Sequence, residues 1–206
     1  MYQPPQFKSD DPALAAELMR RHAFASLIST DDEGFPFVTH LPLHLQEREG
    51  GFVLLGHCAR PNPHWRHLQA RPAALATFMG PHAYLSPKIY PDLQRVPSWN
   101  YLVVQCRVRA RLVEDADAKD ALLKKMIGDH EPRYTEQWRG LGEEFASKML
   151  AGVVGFRLEV TSWACKLKLN QHRPESHAKL RAAYAKGNDD ERELGEWMDR
   201  LGTGGD

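Results

Sequence analysis

The stretch from Ala23 to Cys58 constrains the fold more than any other part of the chain. AFASLIST (23–30) is apolar and β-tolerant, and GFVLLGHC (51–58) is apolar again. Between them FVTHLPLHL (37–45) alternates, so that Phe37, Thr39, Leu41, Leu43 and Leu45 fall on one side of a strand. The connections are DDEGFP (31–36) and EREGG (47–51), short and rich in Asp, Gly and Pro. Strands joined so tightly run antiparallel, because a parallel neighbour needs a crossover of a dozen residues or more. The chain therefore reads as an antiparallel meander.

The flanking segments extend this pattern. Asp11 and Pro12 cap and open a helix whose Leu14, Leu18 and Met19 share a face. ARPNPHWRHLQARP (59–72) holds a short helical stretch, with Trp65 and Leu68 three apart, and AALATFM (73–79) is a further strand. Residues 80–98 carry four prolines and read as a long binding loop or lid. WNYLVVQCRVRARLV (99–113) is a long strand whose second half sets Arg107, Arg109 and Arg111 against Val108, Ala110 and Leu112. Helical patterns follow at about 116–128 (Ala121, Leu122, Met126) and 142–150 (Phe145, Met149, Leu150). GVVGFRLEVTSWACKLKL (152–169) is one strand, or two with a bend near Thr161–Ser162. The tail at 175–201 is helical with a break at Gly187-Asn188, and TGGD reads as a frayed end. This predicts an α+β, mainly β fold: about six antiparallel strands in a small β-barrel, with peripheral helices at about 116–150 and 175–201. The 206 residues suit a single domain, 1–206.

Composition removes several functional classes. Twenty-seven Lys+Arg balance 27 Asp+Glu, which argues against a general basic field for nucleic acid, although it leaves room for a local patch. The mean hydropathy is −0.52, and no apolar run is long enough to cross a membrane. MYQPPQFKSDD offers no signal-peptide core. Cys58, Cys106 and Cys165 are odd in number, far apart and without a CxxC, as expected of a reduced, cytoplasmic protein.

GxGxxG, GxxxxGK[ST], GxSxG and HExxH are all absent. Polar and ring-bearing side chains concentrate instead over residues 39–66. His57, Cys58, His64 and His67 raise the question of a metal, but neighbouring residues of a strand face opposite ways and no second ligand pair is evident, so no metal is assigned. A phosphate pocket is a second reading: Thr39 and His40, then Gly56, His57, Arg60 and Asn62, offer hydroxyl, guanidinium and amide groups on neighbouring strands and the loop between. An ordinary polar surface is a third.

THLPL (39–43), LLGHCARPNPHW (54–65), FMGPHAYLSP (78–87), VPSWNY (96–101), GVVGFRLEVT (152–161) and KLKLNQHRPE (166–175) resemble, in order, the blocks of the PaiB family. These are FMN-binding negative transcriptional regulators related to the split barrels of the pyridoxamine-phosphate-oxidase type. The resemblance spans about residues 1–201. It implies a six-stranded antiparallel split β-barrel that forms a homodimer and binds FMN. The flavin phosphate would lie against Thr39, His40 and Leu41, and against His57, Ala59, Arg60 and Asn62, with Trp65 or His64 closing that side. The ring would lie near GPHAY and the start of VPSWNY, with Trp99, Asn100 and Tyr101 supplied by the partner subunit, and Lys168, Gln171 and Arg173 approaching the same pocket. The family more often has KxKLSQNR where this chain has KLKLNQHR, so Asn170 and His172 are departures.

The resemblance implies a transcriptional regulator. A flavin-dependent oxidoreductase acting on a small molecule is the alternative, with His82 and Tyr84 as candidate acid–base groups, and a flavin-free or haem-related binding protein is a third class. The arginine stripe at 107, 109 and 111 is either a solvated strand face or a DNA contact.

Overall fold

The computed structural model describes residues 1–92, 94–134, 137, 140 and 142–202; the closing TGGD lies outside them. The strands are β1 (Lys8–Ser9), β2 (Phe24–Thr30), β3 (Pro36–Pro42), β4 (His44–Arg48), β5 (Gly51–Ala59), β6 (Ala73–Leu85), β7 (Ser98–Val113) and β8 (Val153–Lys168). The helices are α1 (Pro12–Arg21), α2 (His64–Ala70), α3 (Ala116–His130), α4 (Glu143–Ala151), α5 (His177–Tyr184) and α6 (Asp189–Arg200). The strands pair into one sheet in the order β3-β2-β6-β7-β8-β5-β4, with β1 on β8. The β2–β3, β2–β6, β4–β5, β5–β8 and β1–β8 registers are all antiparallel. The fold is mainly β with peripheral helices, as the sequence predicts.

Three details differ from expectation. Among the described residues eight strands replace six: β1 is an added two-residue strand, and the 37–45 segment is two strands broken at Leu43. Strand 73–79 continues to Leu85, which shortens the expected loop at 80–98. The cause is a slip in alternation at Gly80-Pro81: residues 76, 78 and 80 are buried before it and 81, 83 and 85 after it, as an inserted bulge residue would produce. On α4, Phe145 and Met149 are exposed and only Leu150 of the expected apolar face is buried.

The chain forms two compact units: Met19–Phe78 with Gln105–Trp163, and Met1–Leu18 with Met79–Val104 and Ala164–Asp206. In the first, Leu27, Leu43, Leu54, Phe156 and Leu158 are all but completely buried. Gly56 lies among them, where a Cβ would stand 2.6 Å from Leu43 Cδ2 and 2.7 Å from Phe156 Cε2, so glycine is required for packing. The other face of β5 places Val53 and Leu55 on Leu122 and Met126 of α3. The buried Lys119 donates from Nζ to the Leu150 carbonyl (3.0 Å), satisfying a helix C-terminal acceptor.

In the second unit Leu102, Leu169, Leu194, Trp197 and Met198 are fully buried. The predicted break at Gly187-Asn188 is where α6 starts: Asn188 Oδ1 accepts from Glu191 N, and the Glu191 carboxylate accepts from Asn188 N, a reciprocal capping box. Asn170, just past β8, has φ 64°, a left-handed conformation that Asn tolerates better than most residues.

Candidate functional site

In the first unit one cluster joins β3 to the loop before α2. Asn62 turns the chain: its N–H donates to the Ala59 carbonyl (2.9 Å), and its Oδ1 accepts from His64 N (3.0 Å). Its Nδ2 then donates across to Thr39 Oγ1 (3.1 Å), which also lies 2.7 Å from His64 Nδ1. The Phe37 ring meets His64 edge-on at 5.1 Å and lies 5.0 Å from His67. His64 is 1% exposed. Burial, with the neighbouring His67 pushing the same way, lowers its pKa to about 4, so the imidazole is neutral at ordinary pH.

Thr39 Oγ1 accepts from Asn62, and with its own proton donated to His64 Nδ1 the neutral imidazole carries its hydrogen on Nε2. Nε2 is buried and has no partner among the described residues. A neutral donor held in that way needs an acceptor from outside the chain. The imidazole N–H and the second hydrogen of the Asn62 amide, both oriented by Thr39, suit a phosphate oxygen, so these residues fit the phosphate end of a flavin mononucleotide.

The other expected residues of this unit are distributed differently. His40 neighbours Thr39 and so faces the opposite side of β3, where its Nδ1 lies 3.0 Å from Ser26 Oγ, its register partner. Leu41 is buried and offers a ligand only its backbone. His57 alternates with Val53 and Leu55 on the face that carries α3; burial lowers its pKa, and its Nδ1 is unpartnered. Ala59 ends β5 at the surface. Arg60 donates from Nε to the Ala151 carbonyl (2.8 Å) and from its backbone N–H to Gly152 (2.9 Å), which ties it to the end of α4. Trp65 donates its indole N–H to the Arg60 carbonyl (3.0 Å) and carries the Arg66 guanidinium over its ring. Cys58 is buried on the face opposite His57, and burial raises its thiol pKa. Among the described residues no group of three or more His, Cys, Asp or Glu is placed to hold a metal ion.

The second unit gathers the remaining candidates. Trp99 is half exposed beside Tyr84 (6.1 Å, edge-on) and His82 (6.3 Å). Asn100 is fully buried and donates to the Tyr184 hydroxyl (3.0 Å), while its Oδ1 is unpartnered. Burial pushes the Tyr184 phenol up to about 12. Lys168 donates from Nζ to Ser98 Oγ (2.6 Å). Gln171 closes on its own strand: its Oε1 accepts from Leu169 N (2.9 Å) and its Nε2 donates to the Leu167 carbonyl. The half-buried Arg173 donates its backbone N–H to Asn170 (3.0 Å), and its carbonyl accepts from Ser176. The departure at Asn170 is a structural hub, its side chain bonded to Tyr90 Oη (3.1 Å) and Ser176 Oγ (2.8 Å) and its carbonyl to His177 Nε2 (2.9 Å).

His64, by resemblance only a closing residue of the pocket, is central to the cluster, and Lys166, which no motif singles out, sits on the same side of β8 as Lys168. The signal for Lys166 was the alternation K-x-K itself, visible once the strand is granted.

Residues 1–162 match the family described as "Putative FMN-binding domain". The chain is 31% identical over 178 residues to "Protease synthase and sporulation protein PAI 2" of Bacillus subtilis (strain 168), covering 85% of this chain and 84% of that protein. The flavocytochrome Anf3 from Azotobacter vinelandii superposes with a TM-score of 0.62 at 18% identity, over 79% of this chain and 69% of that one. The FAD and heme binding protein from Mycobacterium smegmatis gives 0.61 at 19% identity, over 78% and 73%.

Proposed function

The chain belongs to the PaiB family of FMN-binding proteins, and on that premise we propose a cytoplasmic, homodimeric split-barrel protein that seats the FMN phosphate on Thr39, Asn62 and His64 and acts as a negative regulator of transcription. The observation that carries the phosphate assignment is the buried, unpartnered Nε2 of His64, beside a hydroxyl and an amide already aligned by their mutual bonds. Support for the barrel comes from the strand order: β3 and β4 end the series at opposite edges, yet only Leu43 separates them in the chain. Trp65, Trp99, Asn100, Lys168, Gln171 and Arg173 remain candidates for the rest of the flavin, with His40, Leu41, His57, Ala59 and Arg60 flanking the phosphate end.

Bound FMN supplies redox chemistry at its ring; the chain's own residues bind the phosphate, exclude water around it and hold the His64 proton at Nε2. A flavin-dependent oxidoreductase is the second reading, favoured by the exposed His82, Tyr84 and Trp99 side chains grouped on one face. For DNA, Arg107, Arg109 and Arg111 are exposed on β7, with Arg111 3.6 Å from Glu159. Among the described residues no helix is long and apolar enough to cross a membrane.

Reconstitution with FMN followed by gel filtration tests the core of this reading. Flavin absorbance should travel with the protein at micromolar concentration, and FMN should bind more tightly than riboflavin. Thr39→Val should lower FMN affinity about tenfold and leave riboflavin affinity unchanged, because His64 and Asn62 lose the hydroxyl that orients their donors. Flavin that elutes free refutes cofactor binding, and equal losses for FMN and riboflavin refute the phosphate assignment. Salt-dependent binding to promoter DNA supports the regulator, and bleaching of the flavin by NAD(P)H supports the oxidoreductase.

A further inference from the structure

Lys166 and Lys168 lie two residues apart on β8, so both side chains leave the same face of the strand. Lys166 is 6% exposed, and its Nζ donates to the Tyr2 carbonyl (3.3 Å). The Tyr101 ring has the Lys166 ammonium 5.1 Å and the Lys168 ammonium 5.8 Å from its centre, and Tyr2 adds a second ring 5.7 Å from Lys166. Neither lysine has a carboxylate partner among the described residues. Lys8, the register partner of Lys166, is already paired with Asp10 at 2.8 Å.

A lysine that only lays its stem on an apolar surface keeps its head in water. Lys166 is buried as a residue, with its ammonium bonded to one carbonyl and set against two rings. Ring faces with one carbonyl oxygen fall short of a full counter-charge for such a group. The second ammonium adds to the deficit. Burial, with Lys166 pushing the same way, holds Lys168 below the ordinary lysine value, while Tyr101 acts in the opposite direction. Burial, with Arg173 and Lys168 adding to it, does the same to His172. The Ser98 hydroxyl, held by Lys168, offers a hydrogen bond to the same space.

We infer that Lys166, Lys168, Ser98 and Tyr101 form an oxyanion site, separate from the flavin phosphate site, for a small molecule bearing a phosphate or carboxylate group. The inference rests on the reading above in reserving Thr39, Asn62 and His64 for the FMN phosphate, and it moves Lys168 from the flavin candidates to the oxyanion.

The FMN-loaded full chain, titrated calorimetrically with inorganic phosphate and separately with malonate, tests it. One saturable site per chain is expected. A preference for phosphate identifies a phosphate monoester as the ligand class, and a preference for malonate identifies a carboxylate. Lys168→Gln and Lys166→Gln should weaken the preferred anion at least tenfold, Lys168→Arg should retain it, and Lys125→Gln on α3 should leave it unchanged. A measurement that needs no variant runs alongside: the preferred anion should protect Lys168 of the wild-type protein from amine acylation, read by mass spectrometry. Absence of saturable binding, unchanged affinity in Lys168→Gln, or absence of protection overturns the inference. A Lys168→Gln protein that loses FMN affinity but keeps riboflavin affinity would place the flavin phosphate on the lysines and overturn both assignments. Loss of anion binding with FMN preference intact upholds both.

Discussion

His64 should make the stability of this protein depend on pH in a window set by its own burial. In the unfolded chain its imidazole titrates near 6.5; in the folded protein burial lowers that to about 4. The unfolded state therefore binds the proton first as pH falls. The stabilisation is fully present above pH 6.5, declines as pH falls through that value, and is gone once pH is below about 4. At about 1.4 kcal/mol per unit the shift corresponds to at most about 3.5 kcal/mol, a large share of the stability of an ordinary domain. The assay is urea unfolding of the flavin-free protein at half-unit steps from pH 7 to 3.5, in wild type and in His64→Gln. Glutamine does not titrate and can still bond Thr39, and both proteins keep His57 and His172, so the difference between the curves isolates His64. Wild type should lose about 2–3 kcal/mol more than the variant across the window. Parallel curves, or an NMR titration of His64 with a midpoint near 6.5, would refute the argument that Thr39 holds a neutral, desolvated imidazole.

Three further outcomes follow from the packing. Gly56→Ala should be destabilised by about 1–3 kcal/mol, since the new methyl meets Leu43 and Phe156 at 2.6–2.7 Å, and Leu43→Val in the same chain should restore part of it; a calorimetric Tm lowered by roughly 4–8 °C is expected. Asn170→Ala should cost about 2–4 kcal/mol in urea, from the left-handed backbone and the lost bonds to Tyr90 and Ser176, whereas Asn170→Gly should recover only the backbone share; equal losses would remove the strain argument. Burial raises the Cys58 thiol and pushes Cys165 up to about 12, and Cys106 is buried as well. Ellman's reagent at pH 8 should therefore titrate no thiol in the native protein and three after denaturation, and a rapid native reaction would contradict that burial.

The meander, the long strands and the capped tail were legible because they rest on local chemistry: tight turns, alternation and an Asn–Glu box. The grouping of Thr39 with Asn62 was also within reach, since it needs only that β3 lie near the loop after β5. Other features depend on where a side chain's hydrogen bonds end, which spacing does not encode. Arg60 reads as a phosphate ligand until the Ala151 carbonyl is found at its Nε. Gln171 reads as a ligand until its amide is seen to close β8. Gly80-Pro81 reads as the start of a loop because both residues usually end strands; here they shift the alternation instead, and the strand resumes. Lys166 does not stand out in the sequence because a lysine is normally at the surface, and its burial is what makes it unusual.

Leu43 carries a consequence for how sequences of this fold can change in length. A single residue joins β3 to β4; its N–H donates to the Ala23 carbonyl (2.9 Å), and its side chain occupies the space that Gly56 leaves open. An inserted residue would break that hydrogen bond, turn the side chains of one flanking strand over and empty the space beside Gly56 at once. The turns at Asp31–Phe35 and Glu49–Gly50 face no such demand, because none of their residues is buried in the core. Insertions and deletions among relatives should therefore accumulate at those two turns, while the chain length between Pro42 and His44 stays fixed.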